Sequence, residues 1–217
     1  MNLSASKVTA IVIPAFNEEA SIGSVIQSVK NSGVIYVIDD ASSDATALVA
    51  ENAGAVVIKN KTNQGYEAAI DLGFKFARDN GALYVITMDA DGQHSAECAV
   101  KIIDALIAGY DLVLGVRDGF PRFSEKIFSW FTKFRWGISD PLCGLKGYRI
   151  ELYEKYHCFD SCKCIGAELA IKSVRGGARV LELPVVIKPR VGISRFGVAF
   201  SANFRILKGM YNLFRVI

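Results

Sequence analysis

The alternation of short apolar runs with amphipathic segments is the feature that most constrains this chain. Five apolar runs predict strands, namely VTAIVIPAF, VIYVIDD, AVVIKN, ALYVITM and YDLVLGV. Between them, apolar residues recur every three or four positions, as in Ile22, Val25, Ile26 and Val29, and this spacing predicts helices. Strands that alternate with helices favour an α/β fold with a mostly parallel, Rossmann-like sheet and helices on both faces.

The length and composition of the chain favour one complete domain. Its 217 residues, of which 51% are hydrophobic, suffice to bury one full core. We therefore expect residues 1–196 to form a single domain and residues 197–217 to form a basic amphipathic helix. The sequence shows no basic leader with a cleavage site and no run of about eighteen apolar residues. Neither a signal peptide nor a membrane-spanning helix is expected, and the predicted location is cytoplasmic.

The five cysteines are odd in number, which favours reduced thiols in a chain without a secretion signal. The segment HCFDSCKC, residues 157–164, holds one histidine and three cysteines and leaves a zinc site open. Its spacing matches no paired C-x-x-C motif, and structural zinc usually draws its ligands from two separated segments. Zinc is therefore the less favoured interpretation of this segment.

Charge is distributed unevenly along the chain although the net charge is only +3. Residues 1–121 hold 8 Lys/Arg and 15 Asp/Glu, which gives −7, whereas residues 122–217 hold 17 and 7, which gives +10. Six basic residues and no acid follow Glu182. Such asymmetry indicates that the second half faces an anion, whether nucleic acid, anionic lipid or a phosphorylated substrate.

Polar motifs follow four of the predicted strands. PAFNEE follows the first, DDASSD the second, DADGQH the fourth and VRDG the fifth. Ligands of open α/β sheets bind at the carboxyl ends of the strands, so these motifs are expected to meet at one edge. The chain has neither a G-x-G-x-x-G after the first strand nor a G-x-x-x-x-G-K-[ST] motif, which excludes the dinucleotide fingerprint and the P-loop.

Asp89 and Asp91 stand one residue apart at the end of the fourth predicted strand. Alternating residues of an extended segment project to the same side, so the two carboxylates can share a cation. A site with few protein oxygens suits Mg²⁺ or Mn²⁺, which keep positions open for water and for substrate phosphates. The first candidate ligand is therefore a diphosphate.

Several motifs together resemble a family 2 glycosyltransferase with the GT-A fold. PAFNEE resembles the opening P-x-(Y/F)-N-E-E of that family, IDDASSDAT its V-D-D-x-S-x-D-x-T segment, and DADGQH its D-x-D-x-Q metal motif. GVRD, SDPLCGLKGYR and RVGISR extend the likeness to polyprenyl-phosphate sugar transferases of the dolichyl-phosphate mannose synthase type, over nearly the whole chain. The resemblance implies an inverting transfer of a sugar from GDP-mannose or a UDP-hexose to a polyprenyl phosphate.

Site residues follow from the resemblance, position by position. It implies that the nucleotide-sugar donor is bound by Pro14, Phe16, Asn17, Glu18, Ile38, Asp40, Asp89, Ala90 and Asp91. It implies that Mg²⁺ or Mn²⁺ is held by Asp89, Asp91 and Gln93. The acceptor phosphate is expected at Arg117, Lys126, Ser129, Arg190 and Arg195, with Arg122 as an alternative to Lys126. The residues expected to act in the reaction are Asp89, Asp91, Arg117 and Asp140.

Two segments indicate contact with an anionic membrane surface. In residues 200–217, one helical stripe is cationic and polar and another is aromatic and apolar, with Phe200, Phe204, Leu207, Tyr211 and Phe214 in the second. Residues 120–136 hold both tryptophans and five phenylalanines among basic residues, a composition typical of membrane interfaces. We expect peripheral association with the cytoplasmic face of a membrane, with packing on the domain or on a second subunit as the alternative.

Two other functions stay open on the sequence alone. One is a family 2 transferase that extends a saccharide or glycolipid hydroxyl, which would need a general base such as Asp140 or Glu168. The other is a non-catalytic sugar-nucleotide-binding subunit, as a homo-oligomer or with a membrane partner protein. Nucleic acid is not an expected partner, because the basic stretch alternates with apolar stripes and carries no recognised motif.

Overall fold

A single sheet organises the chain in the computed structural model, which describes residues 8–188 and 199–217. Within these residues seven strands occur in the order β3-β2-β1-β4-β6-β5-β7. Their bounds are β1 Thr9–Ala15, β2 Val34–Asp39, β3 Val56–Lys59, β4 Tyr84–Thr87, β5 Leu112–Arg117, β6 Lys146–Arg149 and β7 Val180–Val185. Strand β6 runs antiparallel to β4 and β5, and the other neighbouring pairs are parallel. The mostly parallel α/β sheet expected from the sequence is confirmed.

Helices cover both faces of this sheet. They are α1 Ile22–Val29, α2 Thr46–Asn52, α3 Tyr66–Asp79, α4 Ala96–Ile107, α5 Phe123–Trp136, α6 Ile150–Tyr156, α7 Ala167–Arg175 and α8 Ala199–Val216. Successive residues of β1 enter two separate cores: Ala10 and Val12 pack with α3 and α7, whereas Ile11 and Ile13 pack with α1 and α4. A strand buried on both faces is apolar throughout, which is why β1 appears in the sequence as an unbroken run.

Strand β6 was not predicted, because its sequence KGYR contains no apolar run. It nevertheless lies in the middle of the sheet, where Lys146 is buried with 1% of its surface exposed. The ammonium of Lys146 donates hydrogen bonds to the carbonyl oxygens of Ile165 and Gly166 at 3.3 and 3.0 Å. These bonds satisfy a charge that would otherwise make burial unfavourable.

Helix α8 contacts the domain through a stripe different from the two that the sequence predicted. Ile206, Gly209 and Leu213 are buried, and a Cβ on Gly209 would lie 2.6 Å from the carbonyl oxygen of Lys163. The predicted apolar stripe faces outward instead, since Phe204 and Tyr211 are 65% and 61% exposed. The side chains of Phe200 and Ser201 lie outside the described part of the chain. Among the described helices, none has both the length and the apolar character needed to cross a bilayer.

Helix α3 approaches strand β1 closely at Gly73, where a Cβ would lie 2.2 Å from Cγ1 of Val12. We expect Gly73→Ala to lower the free energy of unfolding by about 1–3 kcal/mol, because overpacking shifts neighbouring core groups. Gly23→Ala is the control, since its Cβ would meet only a methyl of Val49 at 3.1 Å, and its effect should be smaller. Chemical denaturation measures both variants. A Gly73→Ala variant as stable as the unsubstituted protein would contradict this packing.

Candidate active site

A cleft of about 890 Å³ lies along the carboxyl edge of the sheet. All four polar motifs line it, as the sequence predicted, through Pro14, Phe16 and Glu18, through Asp40, through Asp89 and Asp91, and through Arg117. Its volume is typical of sites that enclose a ligand of nucleotide size. The cleft is therefore the candidate active site.

Strand order arranges these groups across the cleft. Asp40 follows β2, Phe16 follows β1, Asp89 follows β4 and Arg117 ends β5. Strand β6 separates β4 from β5, and at about 4.8 Å per strand the acidic and basic ends stand roughly 10 Å apart. That separation leaves room for a phosphorylated group between them.

The carboxylate of Asp89 is held in place by three neighbours. Nε2 of His94 lies 3.1 Å from its Oδ2, and the hydroxyl of Tyr66 donates to its Oδ1 at 3.3 Å. On the third side stands Gly144, where a Cβ would come within 2.2 Å of Oδ2. Burial acts to raise the pKa of Asp89, but the hydrogen bonds from His94 and Tyr66 outweigh it, so the pKa lies below its ordinary value. Asp89 thus presents an ionised carboxylate to the cleft.

Asp91 and Gln93 complete the acidic wall. The backbone N–H of Gln93 donates to Oδ1 of Asp91 at 3.1 Å, and both residues line the cleft. The side-chain amide of Gln93 donates to the carbonyl of Lys188 at 3.2 Å, and the N–H of Lys188 returns a bond to the carbonyl of Gln93 at 2.9 Å. The predicted residues Arg190 and Arg195 follow Lys188 and lie outside the described residues.

The donor set on this wall fits a hard divalent cation. The wall presents two carboxylates to the cleft. Within residues 8–188 and 203–217, no group of three or more His, Cys, Asp or Glu side chains is arranged for a metal. Mg²⁺ and Mn²⁺ accept such incomplete protein sites when phosphate and water oxygens supply the remaining ligands. Asp89, Asp91 and Gln93 are the residues that would hold the ion.

The HCFDSCKC segment is organised by a carboxylate. Asp160 accepts hydrogen bonds from the backbone N–H groups of Cys162, Cys164 and Gly166 at 3.0, 3.0 and 2.5 Å. Burial raises the pKa of the Cys162 thiol to about 12, so the thiol is protonated near neutral pH. This arrangement sets Ile165, which has a left-handed backbone with φ 57°, against the cleft. The segment therefore supports a residue of the cleft wall, Ile165, without lining the cleft itself.

The donor residues predicted from the sequence divide into two groups. Pro14, Phe16, Glu18, Asp40 and Ala90 line the cleft with the two metal-motif carboxylates. Asn17 and Ile38 do not: Asn17 accepts a hydrogen bond from the N–H of Ser43 at 2.7 Å, and Ile38 is fully buried in the core. The donor contact expected for these two residues stays a prediction, and the cleft lining does not contain them.

Asp40 also organises the loop that leads into α3. Its Oδ1 accepts from the side-chain amide of Asn60 and from the N–H of Gln64, both at 2.8 Å, and its Oδ2 accepts from the N–H of Gly65 at 2.7 Å. Gly65 precedes α3 with φ 92°, a conformation that favours glycine. Asp40 thereby places Tyr66, the first residue of α3, beside Asp89.

Arg117 is fixed by a buried carboxylate at the basic end of the cleft. Its Nε and Nη2 donate to the two oxygens of Asp140 at 2.7 and 2.9 Å, and its backbone N–H donates at 3.1 Å. Burial acts to lower the pKa of Arg117, but the bonds to Asp140 outweigh it and raise the pKa. Asp140 is fully buried and does not line the cleft, so it is a positioning residue for Arg117 rather than a group that acts on substrate.

Arg122, not Lys126 or Ser129, accompanies Arg117 in the cleft. Lys126 is exposed on α5 and does not line the cleft. The hydroxyl of Ser129 donates to the carbonyl of Ser139 inside the domain. The acceptor-phosphate role expected for Lys126 and Ser129 stays a prediction, and Arg122 is the alternative that the cleft lining contains.

The lining residues that the sequence did not predict include Tyr66, His94, Glu125, Gly144 and Arg205. His94 lies in DADGQH and Gly144 in SDPLCGLKGYR, so both motifs carry a sequence signal for these two residues. Arg205 comes from α8 and reaches the cleft only because the inner stripe of that helix packs on the domain. No local pattern indicates that packing.

Glu168, one candidate base for a hydroxyl acceptor, is fully buried outside the cleft. It accepts hydrogen bonds from the N–H of Ser161 at 2.6 Å and from the ammonium of Lys172 at 2.5 Å. Burial acts to raise the pKa of Glu168, but these bonds outweigh it and lower the pKa. Both proposed bases, Asp140 and Glu168, therefore have structural partners.

A sheet of this order with a carboxylate pair at its carboxyl edge defines a nucleotide-sugar transferase fold of the GT-A class. Residues 10–165 match the sequence profile described as Glycosyl transferase family 2. This match spans more than half of the chain, and the chain belongs to that family.

Relatives and solved structures agree with the assignment. The chain is 30% identical over 196 residues to a dolichyl-phosphate hexose transferase of Haloferax volcanii, a match that covers 84% of each chain. It is 27% identical over 230 residues to a polyprenol monophosphomannose synthase of Mycolicibacterium smegmatis, covering 94% of this chain and 85% of the other. A glucosyl-3-phosphoglycerate synthase of Mycobacterium tuberculosis, solved with Mn²⁺, UDP and phosphoglyceric acid, has a similar fold. That similarity has a TM-score of 0.76 at 17% identity and covers 97% of this chain and 80% of the other.

Proposed function

We propose that the protein transfers a sugar from a nucleotide-sugar donor to a polyprenyl phosphate with inversion at the anomeric carbon. One observation carries this proposal: the acidic wall of Asp89 and Asp91 and the basic wall of Arg117 and Arg122 share one cleft. A donor diphosphate needs the first wall, through a metal, and an acceptor phosphate needs the second. Attack by the acceptor opposite the leaving diphosphate is a direct displacement, which inverts the sugar.

The donor side is built for a nucleoside diphosphate. Pro14, Phe16, Glu18 and Asp40 lie on the β1 and β2 side of the carboxylate pair, where the nucleoside would rest. Mg²⁺ or Mn²⁺ on Asp89, Asp91 and Gln93 would supply stabilisation of the negative charge that develops on the leaving diphosphate. The solved relative that contains Mn²⁺ and UDP supports this assignment, and the donor is GDP-mannose or a UDP-hexose.

The acceptor side presents Arg117 and Arg122 to the cleft, and neither Asp140 nor Glu168, the two candidate bases, lines it. A hydroxyl acceptor requires a base near the attacking oxygen, whereas a phosphate is already an anionic nucleophile. Asp140 is occupied by Arg117 and Glu168 by Lys172, which favours the phosphate acceptor over a saccharide or glycolipid hydroxyl. Guanidinium N–H groups bind phosphate oxygens, and Arg117 and Arg122 both line the cleft. Asp140 holds Arg117 through Nε and Nη2, so a phosphate would be met by Nη1 of Arg117. The names of the two sequence relatives support a lipid phosphate.

An aromatic face would bring the enzyme to such a lipid. We define it as Phe123, Trp130 and Phe134 of α5 with Phe204 and Tyr211 of α8, all at least 61% exposed. The two helices pack together through the ring contact of Phe131 with Phe214 at 4.4 Å. Exposed apolar patches of this kind mark interaction sites, and aromatic rings among basic residues suit a lipid headgroup layer. We propose peripheral binding to the cytoplasmic face of an anionic membrane, with a second copy or a partner protein as the competing occupant.

Removal of either metal-wall carboxylate tests the donor site. We expect Asp89→Asn and Asp91→Asn each to lower sugar transfer by at least about a hundredfold, since the amide cannot replace a charged ligand. Asp104→Asn, on the exposed surface of α4, is the matched control and should keep full activity. Circular dichroism establishes that each variant is folded. Full activity in EDTA would contradict a metal role.

The acceptor class is tested by transfer of radiolabelled sugar from a panel of sugar nucleotides. We expect product with a short polyprenyl phosphate and none with the free polyprenol, 3-phosphoglycerate or a simple saccharide. Arg117→Ala should cost roughly 2–5 kcal/mol of transition-state stabilisation, as for a broken buried charge pair, and Lys should restore only part because it lacks the fork. Arg78→Ala, an exposed arginine on α3, is the control.

Three outcomes of the acceptor assay would contradict the proposal. Product on the saccharide alone, with Arg117→Ala nearly normal, would establish a hydroxyl acceptor. Donor binding without transfer to any acceptor would establish a non-catalytic subunit. Product on 3-phosphoglycerate alone would agree with a phosphate site at the arginines but would contradict a lipid acceptor.

The aromatic face is tested by sedimentation with liposomes. We expect binding that requires anionic lipid and weakens with salt, because each basic residue near the surface contributes about 1 kcal/mol. Trp130→Ala with Phe134→Ala should weaken binding by roughly tenfold or more, since a fully inserted aromatic side chain contributes about 1.5–3 kcal/mol. Leu48→Ala, at an exposed apolar residue of α2, should leave it unchanged. If the protein bound neutral vesicles at high salt as well as it binds anionic vesicles, an electrostatic contribution to membrane binding would be contradicted.

A further inference from the structure

A buried acid stands at the basic wall of the cleft. Glu125 lies in the first turn of α5, and only 3% of its side chain is exposed. Its Oε1 accepts a hydrogen bond from Nη1 of Arg122 at 2.7 Å, and its Oε2 lies 3.1 Å from Nη2 of Arg117. One carboxylate therefore joins the two guanidinium groups that line the cleft.

The two arginines are held to different degrees. Arg117 ends strand β5, and Asp140 fixes its guanidinium through Nε and Nη2. Arg122 precedes α5 in an extended backbone conformation, with φ −118°, and a quarter of its side chain is exposed. Two guanidinium groups on one wall repel each other, and a carboxylate between them offsets that repulsion. The hydrogen bond from Arg122 makes Glu125 its anchor inside the domain.

We propose that Glu125 is a positioning residue that holds Arg122 beside Arg117, so that the pair forms one receptor for the acceptor phosphate. The inference rests on the proposed function for the identity of that anion. Without the carboxylate, Arg117 stays fixed by Asp140, while Arg122 loses the hydrogen bond that ties it to α5 beside Arg117. Loss of Glu125 therefore has the same effect on phosphate affinity as loss of Arg122.

A different role for Glu125 predicts the opposite change in phosphate affinity. If the carboxylate of Glu125 merely fills the place of the acceptor phosphate, its neutralisation removes a competing negative charge and strengthens anion binding. Glutamine separates the two roles, because its shape matches glutamate while its single oxygen and its NH₂ group cannot serve two guanidinium groups.

The experiment is calorimetric titration of hexyl phosphate into the full chain saturated with nucleoside diphosphate and Mn²⁺. We expect E125Q and R122Q each to weaken hexyl phosphate binding roughly tenfold or more, the effect of losing one hydrogen bond between charged groups. The double variant should bind no more weakly than either single variant, because both changes remove the same guanidinium. The affinity for nucleoside diphosphate with Mn²⁺ should stay unchanged in all three.

E97Q is the matched control, since Glu97 occupies the first turn of α4, pairs with the exposed Lys101 and does not line the cleft. It should bind hexyl phosphate like the unsubstituted protein. E125Q binding that is unchanged or tighter, or additive losses in the double variant, would overturn the positioning role. Should E125Q fail to fold, R122Q decides: unchanged phosphate affinity there overturns the inference.

The same titration distinguishes failure of the proposed function. If the unsubstituted protein binds no hexyl phosphate although it binds the nucleoside diphosphate, the acceptor class is wrong and the inference is wrong with it. If the unsubstituted protein binds hexyl phosphate and E125Q binds it equally well, only the role of Glu125 is wrong.

Discussion

Burial of a parallel sheet on both faces is the constraint on which the rest of the structure depends. Helices cover both faces, so most buried side chains of the central strands are apolar, with Lys146 of β6 as an exception, and most polar groups lie at the edge where the strands end. Asp40, Asp89 and Arg117 follow or end three different strands and meet there. Their order across the cleft is the order of the strands, so the topology itself separates the acidic from the basic wall.

The uneven charge of the chain has a spatial meaning in this architecture. The first half, with its net charge of −7, supplies the carboxylate wall and Arg117, and the second half, with +10, supplies Arg122 and Arg205. The two halves meet across the cleft, since α5 and α8 bring Arg122 and Arg205 to it. Two buried acids, Glu125 and Asp140, hold the arginines in place and keep this concentration of positive charge compatible with folding.

The sequence predicted the parts that rest on local pattern. Five strands were recognisable because each is an apolar run, and the site residues at their ends follow from the rule that parallel strands end at one edge. Two strands were missed. The burial of β6 depends on Lys146 bonding to the carbonyl of Gly166, twenty residues away, and β7, with the sequence VLELPV, was not among the predicted strands. The inner stripe of α8 and the position of Arg205 depend on which face a helix with three candidate faces turns inward. Neither depends on local spacing, so neither could be predicted without the tertiary structure.

Helix α8 has one further property because glycine stands at its closest contact. At Gly209 the helix backbone meets the backbone of Lys163 with no room for a side chain, so rotation about the helix axis or sliding along it would produce a backbone clash. Arg205 lies one turn away on the cleft side, and its neighbour Phe204 faces outward. The separation between the interior of the cleft and the outer surface at this helix is therefore a fixed dimension of the protein. Because this distance is set by a contact between backbones, changes of side-chain rotamer do not alter it.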